Sequence, residues 1–140
     1  MIVVMDTNVF VSGVIRPFSK PAAILRLAAS GTLHMAYDLR LISEYREVLS
    51  RPKFGMASDV LDGLLLQIQE EGTPVVASPL GFRLSDPDDE AFLEVALSAG
   101  AQALITGNKR HFPKKAYGEV RITSPAEFLE TWPGPGSVQS

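Results

Sequence analysis

The chain has 140 residues, 46% hydrophobic and 21% charged, with a formal net charge of −3. That length suits a single domain with a real core, and the charge lacks the strong basic excess of a large nucleic-acid-reading surface. Cysteine is absent, which excludes disulfide staples and fits a reducing cytoplasm, and no run approaches the ~18 apolar residues of a membrane span.

Residues 2–5 form an apolar run without polar alternation, which predicts a strand inside a sheet covered on both faces. No basic segment precedes this run and Asp6 cuts it short, so it makes a poor signal peptide. A helix is expected over residues 8–15, stopped by Pro17, and a second from Pro21 to Gly31. Residues 33–37 read as a strand and 39–51 as a helix stopped by Pro52. Residues 58–72 read as a helix with Ser58 or Asp59 as cap, followed by a short strand at 74–78. A helix from Asp86 to Ala99 closes at Gly100. Strands are expected at 103–106 and 120–123, and a last helix, capped by Ser124, at 125–132. The tail 133–140 holds turn formers and little to bury, and is expected to be disordered.

Short apolar strands alternating with helices predict an α/β fold: a three-layer α/β/α sandwich around a mostly parallel sheet. Ligands in such folds bind beyond the carboxyl ends of the strands, where strand order reverses. Asp6, and Thr106, Gly107 and Asn108, stand at ends of this kind. Asp6 either caps the next helix or holds a ligand, because a buried ionised group needs a partner.

At about 100° per residue, Leu41, Ile42, Tyr45, Val48 and Leu49 form one apolar arc with Glu44 on its border. Periodicity leaves Glu44 free to lean inward or to pair with Arg40 or Arg51 in solvent. Asp86 is a good N-cap with Pro87 behind it, and acids suit the first turn of a helix. Asp89, however, falls inside the apolar arc of Phe92, Val95 and Ala96, and Asp88 is not excluded by angle, while Glu90 and Glu94 point away, so one of the two aspartates should meet something on the buried side. Three converging carboxylates raise one another's pKa, and a hard divalent cation removes the conflict. Asp6, Glu44 and Asp89 therefore suggest metal-dependent hydrolysis.

The stretches "VVMDTNVFVSG", "SEYREVLSRPKF" and "DPDDEAFLEVALSAGAQALITGNKRHF" together resemble a PIN domain, over about residues 2–130. The branch they resemble is that of toxin components of toxin–antitoxin pairs. The resemblance implies one PIN-like domain over residues 1–132 and a Mg²⁺- or Mn²⁺-dependent endoribonuclease. By motif match, Asp6, Glu44 and Asp89 are the catalytic and metal-binding carboxylates, with Asn8 and Thr106 in support. Asn108 stands where the family places an acid, its carbonyl oxygen expected to face the metal or a metal-bound water, and His111 replaces a second acid. The resemblance also implies an RNA substrate, an antitoxin partner and a homodimer. Arg16, Lys20, Lys109, Arg110, Lys114 and Lys115 are candidate phosphate contacts, and Lys109, Arg110 and His111, in the compact basic run "NKRHFPKK", are candidate RNA contacts. Two rivals stand beside this reading. One is an inactive PIN domain that binds RNA or protein. The other is a metal-dependent phosphatase, which needs a second Asp where Asn8 stands.

Overall fold

The computed structural model describes residues 1–132. The tail, 133–140, lies outside the described residues. The chain alternates strands and helices: β1 (Ile2–Met5), α1 (Thr7–Ile15), α2 (Lys20–Ala29), β2 (His34–Tyr37), α3 (Leu39–Leu49), α4 (Ser58–Glu71), β3 (Thr73–Pro74), α5 (Pro87–Ala99), β4 (Ala103–Ile105), β5 (Ala116–Tyr117), β6 (Val120–Thr123) and α6 (Pro125–Thr131). The sheet has strand order β3-β2-β1-β4-β6-β5, parallel except for the β5–β6 pair. This is the expected α/β/α architecture. Val3 and Val4 point to opposite faces and are both fully buried, so helices cover the sheet on both sides. Among the described residues no helix is long and apolar enough to cross a membrane.

The chain builds outward from β1 through β2 to β3, then returns to place β4 on the other side of β1. Strand order thus reverses between β1 and β4, and Asp6 N–H donates to the Ile105 carbonyl at 3.0 Å at that point. α3 is fastened to the same strand end. The hydroxyl of the fully buried Tyr45 donates to the Met5 carbonyl at 2.5 Å, and its ring stacks on Phe10 with centroids 4.2 Å apart.

Several local details differ from the sequence expectations. Only Thr73 and Pro74 pair with β2, and Val76 is 97% exposed. Val75 N–H still donates to the Tyr37 carbonyl at 2.9 Å, and side chains of α5 satisfy the backbone further on. Ser78 N–H donates to Ser98 Oγ, Leu80 N–H to Glu94 Oε2 and Leu84 N–H to Glu90 Oε2, at 2.8–3.0 Å. Glu90 and Glu94 therefore anchor a loop rather than face open solvent. α4 starts at Ala57 with no side-chain cap, so neither Ser58 nor Asp59 serves there. Two 3-10 turns, Pro52–Phe54 and Lys109–His111, and the antiparallel β5–β6 hairpin were not expected. The hairpin turns at Gly118, whose φ of 58° suits glycine.

Replacing Tyr45 by Phe leaves the Met5 carbonyl without its donor in a dry core. Stability is expected to fall by about 1–3 kcal/mol. Urea unfolding with an unchanged m-value is the check; a midpoint equal to the parent's opposes this assignment.

Candidate active site

Asp6 acts first as the N-cap of α1. Its Oδ1 accepts from Val9 N–H at 3.0 Å. Its Oδ2 accepts from the hydroxyl of Thr106, a fully buried side chain just past β4. Thr106 Oγ1 in turn accepts from Asn108 N–H at 3.1 Å. Cap and ligand are therefore not alternatives for Asp6: capping uses one oxygen and leaves the other at the reversal point.

Glu44 leans inward. It accepts a hydrogen bond from the hydroxyl of Thr7, the first residue of α1. Neither arginine considered from the sequence pairs with it. Arg40 pairs with Asp38 and Glu94, and Arg51 with Glu47. Thr7 and Thr106 are the buried polar residues among those described, and each serves a carboxylate of this site.

Asp86 caps α5 through Asp88 N–H at 2.9 Å. One turn on, Asp89 is turned toward the strand ends, as its place in the apolar arc required, while Asp88 is exposed. Asp89 Oδ2 lies 3.0 Å from His111 Nδ1, off the line of a hydrogen bond, and is buried without a hydrogen-bond partner. His111 thus belongs to the acidic site rather than to a solvent-facing basic run. Asn8 is exposed on the first turn of α1. The Asn108 carbonyl oxygen accepts from Arg110 N–H at 3.2 Å, and its amide nitrogen lies 2.9 Å from His111 Nε2. One lone pair of this oxygen is thus used by its own turn. Lys109 pairs with Glu127 at 2.7 Å.

The carboxylates feel one another. Burial pushes Asp89 up to about 6; His111 opposes this, and Asp86, Asp6 and Glu44 add to it. Burial also raises Asp6, against the Thr106 hydroxyl, the Val9 and Gly107 N–H groups and His111. Burial, with Asp6 and Glu44 nearby, keeps the Tyr45 phenol well above its ordinary value, so it remains a donor.

Oxygen-only donors and an orphaned buried carboxylate oxygen fit a hard divalent cation. Among the described residues, however, no three His, Asp or Glu side chains are gathered closely enough to hold an ion by themselves. Such a donor set fits an ion that keeps several waters and takes further oxygens from a substrate phosphate.

A parallel sheet with carboxylates at its reversal point defines a nuclease-type domain here, because the sequence comparison agrees with the geometry. A family model described as the PIN domain matches residues 2–110. The chain belongs to the PIN domain family. PIN domains are in general nucleases and typically use divalent metals. The match stops at Arg110, short of the extent near residue 130 suggested by the motifs. A search of curated proteins found no match.

Asp89 titrates near 6 in the folded chain, against 3.8 for an ordinary Asp. A raised carboxyl pKa contributes stability that is complete below the unfolded value and lost as pH rises through the folded one. Asp89→Asn should therefore match the parent's melting temperature more closely at pH 4 than at pH 8, where the variant melts higher. Thermal melts across that range check this; a difference independent of pH speaks against a buried, electrostatically strained Asp89.

Proposed function

We propose that this chain is a metal-dependent endoribonuclease that hydrolyses phosphodiester bonds of single-stranded RNA in the cytoplasm. We propose further that it is the toxin of a toxin–antitoxin pair. The observation that carries the hydrolase reading is a PIN fold in which Asp6 and Glu44 stand near enough to raise the pKa of Asp89, one of whose oxygens is buried and unpartnered.

Asp6, Glu44 and Asp89 are the residues that would hold Mg²⁺ or Mn²⁺. When bound, the ion supplies an activated water and counter-charge for the phosphodiester. The chain's own residues prepare that site. Thr106 and Thr7 donate to Asp6 and Glu44 and fix their orientation. Such supporting contacts typically matter about 10–100-fold for metal affinity. Asp86 caps α5 and contributes to the stability of its first turn. Asp6 and Asp89 retain protons above the ordinary carboxylate range, and a cation must displace those protons.

The antitoxin partner and a homodimer belong to the same proposal. α4 supports the dimer: Val60 and Leu66 are 59% and 56% exposed on it. A second reading, a PIN domain that binds RNA or protein without cutting, is favoured by two observations. No three ligating side chains are drawn together among the described residues, and Asn108 replaces an acid.

Single-stranded RNA should be cleaved with Mn²⁺, and cleavage should stop with excess EDTA or in Asp6→Asn. Cleavage that survives either change defeats the metal mechanism; no cleavage with any divalent ion supports the second reading. Mn²⁺ affinity should increase as pH rises through about 6, because Asp89 must ionise. Calorimetry at several pH values checks this. Thr106→Val should weaken that affinity by about 10–100-fold. By contrast, Asp86→Ala should cost about 0.5–2 kcal/mol of stability and leave metal affinity close to the parent's. In light scattering, the dimer reading expects twice the chain mass of 15.2 kDa, and a concentration-independent 15.2 kDa opposes it.

A further inference from the structure

The Lys109–His111 turn divides two environments. His111 meets Asp89. Lys109 and Arg110 instead line a separate cleft of about 950 Å³ bounded by β5, β6 and α6. Buried Phe112, Ile122 and Phe128 form its apolar floor. Exposed Arg110, Lys114, Lys115 and Arg121 stand at its margin. None of these four makes an ion pair with a described residue, whereas Lys109 is neutralised by Glu127. Lys114 Nζ lies 5.8 Å from the centroid of the Tyr117 ring. The opposing acids at the margin, Glu119 and Glu130, are exposed. Residues 109–121 hold five Lys and Arg against one Glu, in a chain of net charge −3. The local sign is thus opposite to that of the whole molecule. Residues beyond 110 also lie outside the matched PIN segment.

We infer that this cleft binds the sugar–phosphate backbone of single-stranded RNA. Arg110, Lys114, Lys115 and Arg121 contact phosphates, and the apolar floor accepts a ribose or base. The inference rests on the ribonuclease reading for the identity of its ligand. It also reassigns the phosphate contacts. Of the candidates in that basic run, Lys109 is held by Glu127 and His111 faces Asp89, so Arg110, Lys114 and Lys115 serve. Arg121, contributed by β6, joins from across the hairpin. A clustered set of cations over an apolar floor matches a polyanion with flat, stackable groups.

The test is fluorescence anisotropy with a labelled single-stranded RNA of about 12 nucleotides, comparable to known site sizes, in EDTA so that nothing is cut. The proteins are the parent, Lys114→Glu/Lys115→Glu, Arg121→Glu, and Lys53→Glu as a charge control away from the cleft. The double variant should bind at least tenfold more weakly, with a slope of log K against log salt smaller by about 1.4, the value for two lost phosphate contacts on a single strand. Arg121→Glu should weaken binding in the same direction, and Lys53→Glu should stay within twofold of the parent. Mn²⁺-dependent hydrolysis of bis(4-nitrophenyl) phosphate, too small to reach the cleft, should be equal in the parent and the cleft variants. Equal RNA binding by all four proteins overturns the inference, as does a parent that binds no RNA or prefers polyglutamate to it. If the parent hydrolyses no phosphodiester but its RNA binding still depends on the cleft, the nuclease reading fails and the cleft stands.

Discussion

The hydrogen bond from Tyr45 to the Met5 carbonyl is the constraint on which the site depends. It joins the residue before Asp6 to the residue after Glu44, so a strand end and a helix are held in one register. Stacking of Tyr45 on Phe10 brings α1 into the same arrangement, and α1 carries Thr7 to Glu44. Residues far apart in sequence are thereby set around one point by a single fully buried phenol. A buried carbonyl at a strand terminus has no further strand to pair with, and the phenol satisfies it. The same bond makes the packing of α3 directional, which apolar contact alone does not.

Against this frame, the carboxylates are costly. Burial raises the pKa of Asp6 and Asp89, and neighbouring acids add to the rise at Asp89, so the fold would be more stable without them. Two buried threonine hydroxyls and the α1 cap reduce the cost without removing it. Binding sites commonly hold such strain because the groups that would relieve it are the ligands themselves. An orphaned Asp89 oxygen beside the half-exposed imidazole of His111 is the local form of that strain.

Much of the fold was legible because it rests on local physics. The uninterrupted apolar run of β1 announced a strand buried on both faces. Ser124 announced the cap that opens α6, where Glu127 completes a capping box. Periodicity narrowed the acidic cluster of α5 to Asp88 and Asp89, and the spacing to Ala96 in the resembled motif picked Asp89. Other features depend on distant partners. Glu44 sat on the border of its arc, and only a hydroxyl 37 residues away decides that it leans inward. Residues 75–78 look like a strand by composition, but Glu94 and Ser98 claim the backbone at Leu80 and Ser78. β5 is two residues long, too short to carry a periodic signal. His111 read as part of a basic run because sequence proximity to Lys109 and Arg110 hid the fact that a tight turn sends it the other way.

The two ends of the sheet have a consequence for aggregation and assembly. Each edge strand, β3 and β5, is only two residues long, and β3 ends in a proline. Such edges offer too few free N–H and C=O groups to template an incoming strand. Among the described residues, then, the sheet is closed to edge-to-edge growth into a continuous β-structure. Association with another chain is left to side-chain surfaces, where shape and charge select the partner rather than generic backbone pairing.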